Sequence, residues 1–364
     1  MRIGIDARLW GEPRSGIGRY TRALIEALIR QAPEARFILY LDRPAAAPPG
    51  AETRYLPWPQ RLVWTLWAAP RALRRDPVDL FHGVTGFELP RGVPGRLVTT
   101  VHDLVPLRFP GLVPWQHRWA VRGLLAGALR RATRVIAVSE ATREEILARY
   151  RLPPEKVAVV HEAASPRFRP PSAADRAALR ERYGLRAPYL LFVGLLEPKK
   201  NVKAVLAAVA RLRAARVWDG TELVVAGAAG WGPDPRRTVQ RLALDGVVRF
   251  LGPVPDADLP ALYGDALAFV FPSLWEGFGL PVLEAMATGA PVVASRRGAL
   301  PEITGGAALL VEPDPEPLAA ALGTILADSG LRARLREAGL ARAATFSWER
   351  AATETLAVYR RTLA

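Results

Sequence analysis

The chain has 364 residues, with 50 Lys and Arg against 35 Asp and Glu, and it contains no cysteine. This length exceeds the roughly 250–300 residues at which a single hydrophobic core stops growing, so two domains are expected. The lack of cysteine excludes disulfide frameworks, thiolate zinc sites, iron–sulfur clusters and thiol nucleophiles.

The positive charge is unevenly distributed along the chain. Residues 1–170 hold 27 Lys and Arg against 15 Asp and Glu, whereas the other 194 residues hold 23 against 20. The first half is therefore expected to face an anionic partner. Only four of the basic residues are Lys, and Lys199, Lys200 and Lys203 lie beside Asn201, the only asparagine.

The first residues and the longest apolar runs bear on localisation. Residues 2–6 have the pattern of a strand and not of a secretion signal. The longest apolar runs, 62–70 and 266–275, are shorter than the ~18 residues needed to span a bilayer. We therefore expect a soluble, cytoplasmic protein.

Short β-rich runs alternate with longer helical stretches, which predicts parallel sheets built from βαβ units. In the first half, the predicted strands are Arg2–Asp6, Arg36–Leu41, Leu80–His82, Leu97–His102, Arg134–Val138 and Val157–His161, and the predicted helices are Arg19–Arg30, Trp115–Ala132 and Ala141–Tyr150. The proline-rich stretch 165–171 is predicted to be a linker.

The same alternation restarts after this linker. The predicted strands are Tyr189–Val193, Glu222–Ala226, Val247–Leu251, Ala268–Phe271, Pro291–Ala294 and Ala308–Val311, and the predicted helices are Asn201–Arg213, Pro281–Thr288 and Pro317–Ala327. We predict an α/β protein with two doubly wound, Rossmann-like domains. Their binding crevices would lie at the carboxyl ends of the strands and face each other across a central cleft.

The segment Ser15–Tyr20 (SGIGRY) follows the first strand and opens a helix. Its glycines, Gly16 and Gly18, allow backbone N–H groups to approach an anion at the helix N-terminus. A nicotinamide fingerprint, with Asp42 binding the ribose, is one interpretation, although Thr21 replaces the third glycine. A tight turn without a ligand is the other, and the segment alone does not separate them.

Two histidines end neighbouring strands of the first half. His102 follows Val98–Val101 and is well placed to donate to a bound oxygen, and His82 is the weaker candidate. A purely structural role for His102 is an equal alternative when that strand is considered by itself.

The lysine pair lies between a strand end and a helix start. Lys199 and Lys200 follow Gly194 in the segment 192–201 and put ammonium groups where a helix dipole already attracts anions. This arrangement suits a diphosphate. A solvated helix start is the alternative, but a chain that almost always uses Arg favours the functional interpretation.

The segment Phe271–Met286 contains a strand end, a glycine turn and a helix start. Gly277 and Gly279 expose backbone N–H groups, Glu276 precedes the turn, and Glu284 lies about one turn into the helix. Separately, the two carboxylates can bind vicinal hydroxyls on a sugar and on a ribose. A glycosidase pair would need a separation of ~5–9 Å, which this spacing does not assure.

Residues 276–293, EGFGLPVLEAMATGAPVV, resemble the E-x7-E block of retaining nucleotide-sugar glycosyltransferases of family 4, which have the two-domain GT-B fold. The resemblance covers nearly the whole chain and is closest to mannosyltransferase-like members. The other comparable segments are SGIGRY (15–20), VHD (101–103), SE (139–140), VGLLEPKKN (193–201), GALPEITGGAALLVEPD (298–314) and FSW (346–348).

The resemblance implies roles for individual residues. Glu276 would bind the sugar, Glu284 the ribose, and Lys199 and Lys200 the diphosphate. Many relatives carry an Arg where this chain has Leu195, so Lys199 would take that place. The residues implied to bind the donor are Gly16, Gly18, Gly194, Lys199, Lys200, Glu276, Gly277, Phe278, Gly279, Leu280 and Glu284, and those implied to act in catalysis are His102, Lys199, Lys200 and Glu276.

The resemblance also implies the domain organisation. Residues 1–170 would form the acceptor-side domain and residues 171–346 the donor-binding domain. The last helix, residues 347–364, would pack back on the first domain.

The implied activity is transfer of a hexose from a nucleoside-diphosphate sugar, GDP-mannose first and UDP-glucose second, to a saccharide or lipid-linked acceptor. Neither a metal nor another cofactor is expected. One alternative is a nicotinamide-dependent dehydrogenase, which leaves the second-half motifs unexplained. The other is a non-catalytic protein that binds nucleic acid or membrane surfaces through its basic first half. No nucleic-acid partner is expected.

Aromatic and basic residues are interleaved in the stretches 58–75 and 115–131. This mixture suits the edge of an anionic membrane, at which the protein would be peripheral on the inner face, or a groove for a polyprenyl-diphosphate acceptor. Tryptophans buried between helices would give the same pattern, so both interpretations stay open.

Overall fold

The computed structural model describes residues 1–11, 15–58, 60–186, 188–218 and 220–364. The chain forms two compact units: unit 1 comprises Met1–Ala163 and Ser347–Ala364, and unit 2 comprises Ala164–Phe346. Each unit contains one parallel sheet.

Unit 1 is built on a seven-stranded sheet in the order β3-β2-β1-β4-β5-β6-β7. Its strands are β1 (Arg2–Asp6), β2 (Arg36–Leu41), β3 (Ala51–Tyr55), β4 (Leu80–Gly83), β5 (Arg96–Val101), β6 (Arg134–Ala137) and β7 (Val157–Val159). Its helices are α1 (Gly16–Gln31), α2 (Arg61–Val63), α3 (Ala69–Arg75), α4 (Val105–Arg108), α5 (Trp115–Arg131), α6 (Glu140–Tyr150) and the C-terminal α15 (Trp348–Leu363). A π-helical turn, Trp64–Ala68, joins α2 to α3, and Pro110–Leu112 and Pro154–Lys156 are 3₁₀ turns.

The C-terminal helix α15 packs on α1 within unit 1. The Arg30 guanidinium lies 3.1 Å from the Glu349 carboxylate, and the Gln31 side chain donates to the Glu349 carbonyl at 2.6 Å. Ser347 caps α15 by accepting a hydrogen bond from the Arg350 N–H. The face of α15 that meets the unit is apolar and buried, which is the arrangement that makes a surface helix stable.

Unit 2 is built on a six-stranded sheet in the order β10-β9-β8-β11-β12-β13. Its strands are β8 (Tyr189–Val193), β9 (Glu222–Ala226), β10 (Val248–Gly252), β11 (Ala268–Phe271), β12 (Val292–Ser295) and β13 (Leu309–Val311). Its helices are α7 (Ala173–Tyr183), α8 (Val202–Ala214), α9 (Arg236–Arg241), α10 (Leu259–Gly264), α11 (Leu280–Ala287), α12 (Leu300–Thr304), α13 (Pro315–Ala327) and α14 (Ser329–Ala343), and Pro198–Lys200 is a 3₁₀ turn.

The strand order reverses direction between β8 and β11 in unit 2, and between β1 and β4 in unit 1. In doubly wound sheets, ligands bind at such switch points, outside the carboxyl ends of the strands. The loops that follow β8 and β11 are therefore the first place to look for a ligand site in unit 2.

The predicted strands are confirmed, with ends that differ by a few residues. The edge strand β3 is a strand that the sequence did not reveal, because AETRY has little hydrophobic alternation and its side chains stay partly exposed. Strand β5 ends at Val101, so His102 lies just beyond the sheet.

Candidate active site

The lysine pair lies in the loop that follows β8. Lys199 and Lys200 belong to the 3₁₀ turn, and Asn201 ends it in the left-handed region at φ 55°, which asparagine tolerates better than most residues. The Asn201 side chain donates to the carbonyls of Pro313 at 2.7 Å and Pro272 at 3.3 Å. Asn201 therefore links the turn that contains the two lysines to the loops after β11 and β13.

The two lysines meet Glu276 at the switch point of unit 2. The Lys200 Nζ donates to Glu276 Oε1 at 2.7 Å, and it lies 4.8 Å from the centre of the Phe271 ring. The Lys199 Nζ lies 3.9 Å from Glu276 Oε2 and 3.8 Å from Glu197 Oε1. The predicted Lys199, Lys200 and Glu276 thus lie together, and Glu197 is a member of this cluster that sequence reasoning missed.

The charge of Glu276 depends on this cluster. Burial by itself would raise the pKa of the Glu276 carboxyl. The charges of Lys199 and Lys200, together with hydrogen bonds donated by Lys200 and by the Ser273 hydroxyl, outweigh burial and hold that pKa below its usual range. Glu276 is therefore ionised at neutral pH, and it accepts hydrogen bonds instead of donating a proton.

The glycine turn after Glu276 requires glycine at two positions, because a side chain at either one would meet neighbouring atoms. Gly279 has φ +105°, and a Cβ atom there would lie 2.6 Å from the Leu300 side chain. Gly298 has φ +60°, and a Cβ atom there would lie 2.2 Å from the Glu276 carbonyl oxygen. Helix α11 begins directly after this turn at Leu280; Pro281 has no N–H group, and the N–H groups of Val282 and Leu283 lie 2.9 and 3.3 Å from the Gly279 carbonyl oxygen.

Two further residues predicted to bind the donor, Glu284 and Gly194, are close in sequence to this cluster but have different contacts. Glu284 lies inside α11, is almost fully buried, and accepts a hydrogen bond from the Tyr263 hydroxyl at 3.3 Å. The Gly194 N–H donates to the Ala226 carbonyl at 3.0 Å, and a Cβ atom on Gly227 would lie 1.9 Å from the Gly194 carbonyl oxygen. Gly194 therefore lies where the loops after β8 and β9 touch.

In unit 1, the side chain of His102 is fixed just beyond the end of β5. Its Nδ1 lies 2.9 Å from Glu162 Oε1 and its Nε2 lies 2.9 Å from the Val84 carbonyl oxygen. The Tyr20 ring meets the imidazole edge-on, with ring centres 4.7 Å apart. Both ring nitrogens therefore have partners within unit 1, and a hydrogen bond to a sugar requires one of these to be exchanged.

His82, the weaker candidate, lies in a buried chain of polar groups. Its Nδ1 lies 2.7 Å from the Tyr359 hydroxyl and its Nε2 2.8 Å from the Thr100 hydroxyl, which lies 2.9 Å from the Tyr20 hydroxyl. Burial, with a smaller contribution from His102, lowers the pKa of His82 to about 3. His82 is therefore neutral at physiological pH, and its position indicates a structural role.

The glycine motif of the first half forms a capped helix start. The Ser15 hydroxyl accepts a hydrogen bond from the Gly18 N–H at 2.9 Å, so the cap uses this N–H group. A Cβ atom on Gly16 would meet no heavy atom within 4 Å. Tyr20, the last residue of this motif, lies in the same helix, and its ring contacts the His102 imidazole edge-on.

A buried ionic cluster occupies the switch point of unit 1, and sequence reasoning missed it. Arg8 donates two hydrogen bonds to Asp6, at 2.9 and 2.7 Å, and one to Glu88 at 2.8 Å, and its guanidinium lies 4.0 Å from the Trp64 ring centre. Arg61 reaches the same Glu88 from the surface at 2.7 Å. No local sequence pattern shows that these residues come together.

The sequence of the chain is similar to known proteins along most of its length. Residues 14–167 match the family described as Glycosyltransferase Family 4, and residues 187–328 match Glycosyl transferases group 1. O-antigen chain mannosyltransferase B of Escherichia coli is 32% identical to this chain over 96% of each of the two chains. The chain belongs to the family 4 glycosyltransferases. MMP alpha-(1->4)-mannosyltransferase of Mycolicibacterium hassiacum is 34% identical, over 71% of this chain and 59% of that relative.

Solved structures of glycosyltransferases share the fold of this family 4 chain. Sucrose-phosphate synthase from Thermosynechococcus elongatus superposes with a TM-score of 0.79 at 24% identity, covering 99% of this chain and 98% of that one. Anabaena HepE, solved in complex with UDP and glucose, gives 0.76 at 21% identity and covers 99% of both chains. The fold is GT-B, as predicted. The family assignment leaves the dehydrogenase and the non-catalytic alternatives without support.

Proposed function

We propose that this glycosyltransferase transfers a hexose from a nucleoside-diphosphate sugar to a saccharide or lipid-linked acceptor, with retention of configuration and without a metal ion. The observation that carries the proposal is the convergence of Lys199, Lys200 and Glu276 at the switch point between β8 and β11. Two ammonium groups beside the N-terminus of α11 there suit a diphosphate bearing a sugar.

The chemistry requires stabilisation of the departing diphosphate. The bond between the anomeric carbon and the phosphate oxygen breaks, and its electron pair leaves with the diphosphate. Lys199 and Lys200 supply preorganised positive charge as that negative charge develops. The acceptor hydroxyl then bonds to the anomeric carbon on the same face, and its proton passes to the diphosphate.

The state of Glu276 supports retention without a covalent intermediate. Its carboxylate is held by the Lys200 ammonium and the Ser273 hydroxyl, and its lowered pKa keeps it ionised. A carboxylate held in this way suits hydrogen bonds to sugar hydroxyls. By analogy with the family, we assign it to sugar binding and not to nucleophilic attack.

Mannose is our first donor proposal and glucose the second. Two relatives similar to this chain are described as mannosyltransferases, which favours GDP-mannose. The HepE structure, with UDP and glucose bound, keeps UDP-glucose as the second donor to test.

A donor screen tests the proposed function. Purified protein is incubated with GDP-mannose, UDP-glucose and other nucleotide sugars without acceptor, and release of nucleoside diphosphate is measured before and after treatment with a chelator. We expect release from GDP-mannose that chelation leaves unchanged. Activity lost on chelation and restored by Mg²⁺ or Mn²⁺ would contradict metal independence, and no release from any donor, with or without oligosaccharide acceptors, would contradict the activity.

On the acceptor side, the exposure of the tryptophans favours an anionic membrane surface. Trp64 is buried, but Trp58 and Trp67 are exposed and meet edge-to-face, with ring centres 5.0 Å apart. On α5, Trp115 and Trp119 are 64% and 56% exposed. Of these tryptophans, only Trp64 is buried, so burial between helices does not account for the other four.

Basic side chains accompany the exposed rings. The guanidinium groups of Arg118 and Arg122 lie 5.8 and 5.7 Å from the ring centre of Trp119. Tryptophan next to arginine is typical of surfaces that bind anionic headgroups. Among the described residues, no helix has both the length and the apolar character needed to cross a membrane. We therefore propose that the exposed tryptophans and arginines of α5 bind the membrane that carries a lipid-linked acceptor.

Liposome flotation tests this proposal. The double variant Trp115→Ser, Trp119→Ser should float less with vesicles containing anionic lipid, whereas Trp231→Ser, which removes an exposed tryptophan from unit 2, should float as the unchanged protein does. Negligible flotation of the unchanged protein with both anionic and neutral vesicles would contradict membrane binding.

A further inference from the structure

Glu197 is the member of the unit 2 cluster to which the proposed mechanism gives no role. It lies directly before the 3₁₀ turn that contains the two lysines, and its side chain does not cap that turn. Its Oε1 atom lies 3.8 Å from the Lys199 Nζ, and the same ammonium lies 3.9 Å from Glu276 Oε2. The Lys199 ammonium is therefore shared between two carboxylates.

All four charged side chains of this cluster are largely buried. The side chains of Glu197 and Glu276 are 6% and 9% exposed, and those of Lys199 and Lys200 are 14% and 13% exposed. Little water screens these groups, so each of them acts strongly on an anion bound beside them. The charges of two ammonium groups and two carboxylates cancel, so the four groups together have no net charge.

A site that binds the diphosphate of a donor must also release the nucleoside diphosphate after transfer. At neutral pH the released nucleoside diphosphate carries one more negative charge than the donor, because a terminal phosphate loses its second proton at about pH 6. Uncompensated positive charge would therefore strengthen binding of the product more than binding of the donor. Release of product limits the rate of many enzymes.

We propose that Glu197 weakens the binding of the nucleoside-diphosphate product by compensating the charge of Lys199. Glu276 has a separate role in the proposed mechanism, since its carboxylate binds the sugar and accepts a hydrogen bond from Lys200. Glu197 thus determines how tightly the lysine pair holds the diphosphate once the sugar has left. This inference rests on the proposed function, in which the two lysines bind the diphosphate.

Isothermal titration calorimetry of the purified protein with GDP and with UDP tests this role. Glu197→Gln removes the charge and keeps the size of the side chain, whereas Glu197→Asp keeps the charge. Glu197→Ser removes the same charge with a smaller side chain, so a folding defect of one variant does not decide the result. All variants are first checked for folding by thermal melts.

The matched control is Glu222→Gln, which also removes one carboxylate from unit 2. Glu222 is paired with Arg249 at 2.6 Å. It is the first residue of β9 and lies beside Tyr189, the first residue of the parallel strand β8, whereas the two lysines follow the carboxyl end of β8. The control therefore removes the same charge at the opposite end of the sheet.

We expect the Kd of GDP and of UDP to be roughly 10- to 100-fold lower for Glu197→Gln than for the unchanged protein, because one negative charge is removed a few ångströms from a polyanion. Loss of a purely structural contact would weaken binding instead. The donor KM should fall less than the product Kd, since the donor carries one negative charge fewer. Glu197→Asp and Glu222→Gln should bind both nucleotides as the unchanged protein does.

Equal or weaker binding of both nucleotides by folded Glu197→Gln and Glu197→Ser would overturn the proposal, as would an equal gain in Glu222→Gln. Tighter binding by Glu197→Gln in a protein that turns over no nucleotide sugar would support the charge compensation and contradict the proposed function. Binding of neither nucleotide, by the unchanged protein or by Glu197→Gln, would overturn both.

Discussion

Replacing Lys200 by alanine tests the assignment of the site at the switch point of unit 2. The Lys200 ammonium is the closest cation to Glu276, at 2.7 Å, among the described residues, and in the proposed mechanism it stabilises the leaving diphosphate. Removal of one preorganised donor of this kind typically lowers the rate by ~10²–10³, or roughly 3–4 kcal/mol. We therefore expect kcat of Lys200→Ala to fall by this factor, with a smaller change in donor KM.

The same substitution lowers stability, and this effect must be measured separately. Loss of one partner from a buried ion pair costs about 3–5 kcal/mol when the other charge stays alone. Here Lys199, at 3.9 Å, and the Ser273 hydroxyl still contact Glu276, so the cost should lie at the low end. Chemical denaturation of the variant gives this number, and kinetics are measured only under conditions in which the variant is folded.

The matched comparison is Glu284→Ala. Glu284 is buried and accepts a hydrogen bond from Tyr263, and the family resemblance implies that it binds the ribose, remote from the reacting carbon. Binding that is equal in the ground and transition states does not accelerate the chemical step, so this variant should mainly raise donor KM. Glu276→Ala, which removes a contact to the sugar itself, should change both constants. If Glu284→Ala abolishes kcat while Lys200→Ala changes only KM, the assignments are wrong.

Three further predictions concern stability. The pKa of the Glu276 carboxyl is lower in the folded chain than its ordinary value of 4.5, so its ionised form stabilises the fold above pH 4.5 and this contribution is lost as the pH falls. The loss of unfolding free energy caused by Glu276→Gln, measured by urea denaturation, should therefore be larger at pH 7 than at pH 4. Folding lowers the pKa of His82 from 6.5 to about 3, so as the pH falls the histidine is protonated in the unfolded chain before it is protonated in the folded one. Between pH 7.5 and 5, the unfolding free energy of the unchanged protein should therefore fall by about 2 kcal/mol more than that of His82→Asn. Parallel pH profiles of the two proteins would contradict this prediction. Truncation after Phe346 removes α15, including the buried Tyr359 that contacts His82, and should make residues 1–163 sensitive to limited proteolysis while residues 164–346 stay resistant.

The sequence predicted the two parallel sheets because their strands are continuous apolar runs between glycine- and proline-rich turns. The elements that it did not predict include the helices α9, α10, α12 and α14. They also include β3, an edge strand with partly exposed side chains, and α7, which follows the predicted linker and begins with a capping box at Ser172 and Asp175. The signal for α7 was present locally, as a serine followed three residues later by an acidic residue. The failure at β3 is different, since pairing with β2 and not its own pattern makes this segment a strand.

For the site, local motifs identified the residues that lie on the strand ends. Lys200 and Glu276 are 76 residues apart in the sequence and lie in contact in the structure. Glu162, Tyr20 and Arg8 were missed because their importance comes from partners distant in sequence: Glu162 meets His102 60 residues away, and Arg8 meets Glu88 80 residues away. A short motif shows which chemical groups lie in one loop. Contacts between different loops depend on the order of the strands in the sheet, which a local motif does not show.

The charge balance of the unit 2 cluster constrains how it binds a donor. Lys199 and Lys200 face Glu197 and Glu276, so the two positive charges are already matched by two carboxylates. A lysine ammonium has three donors, so Lys200 can contact a diphosphate while it still holds Glu276, but part of its charge is already compensated. In the proposed mechanism, ground-state binding is then modest, and the largest gain comes when negative charge builds on the leaving diphosphate. A gain of this kind favours the transition state over the bound donor, which is the condition for raising kcat.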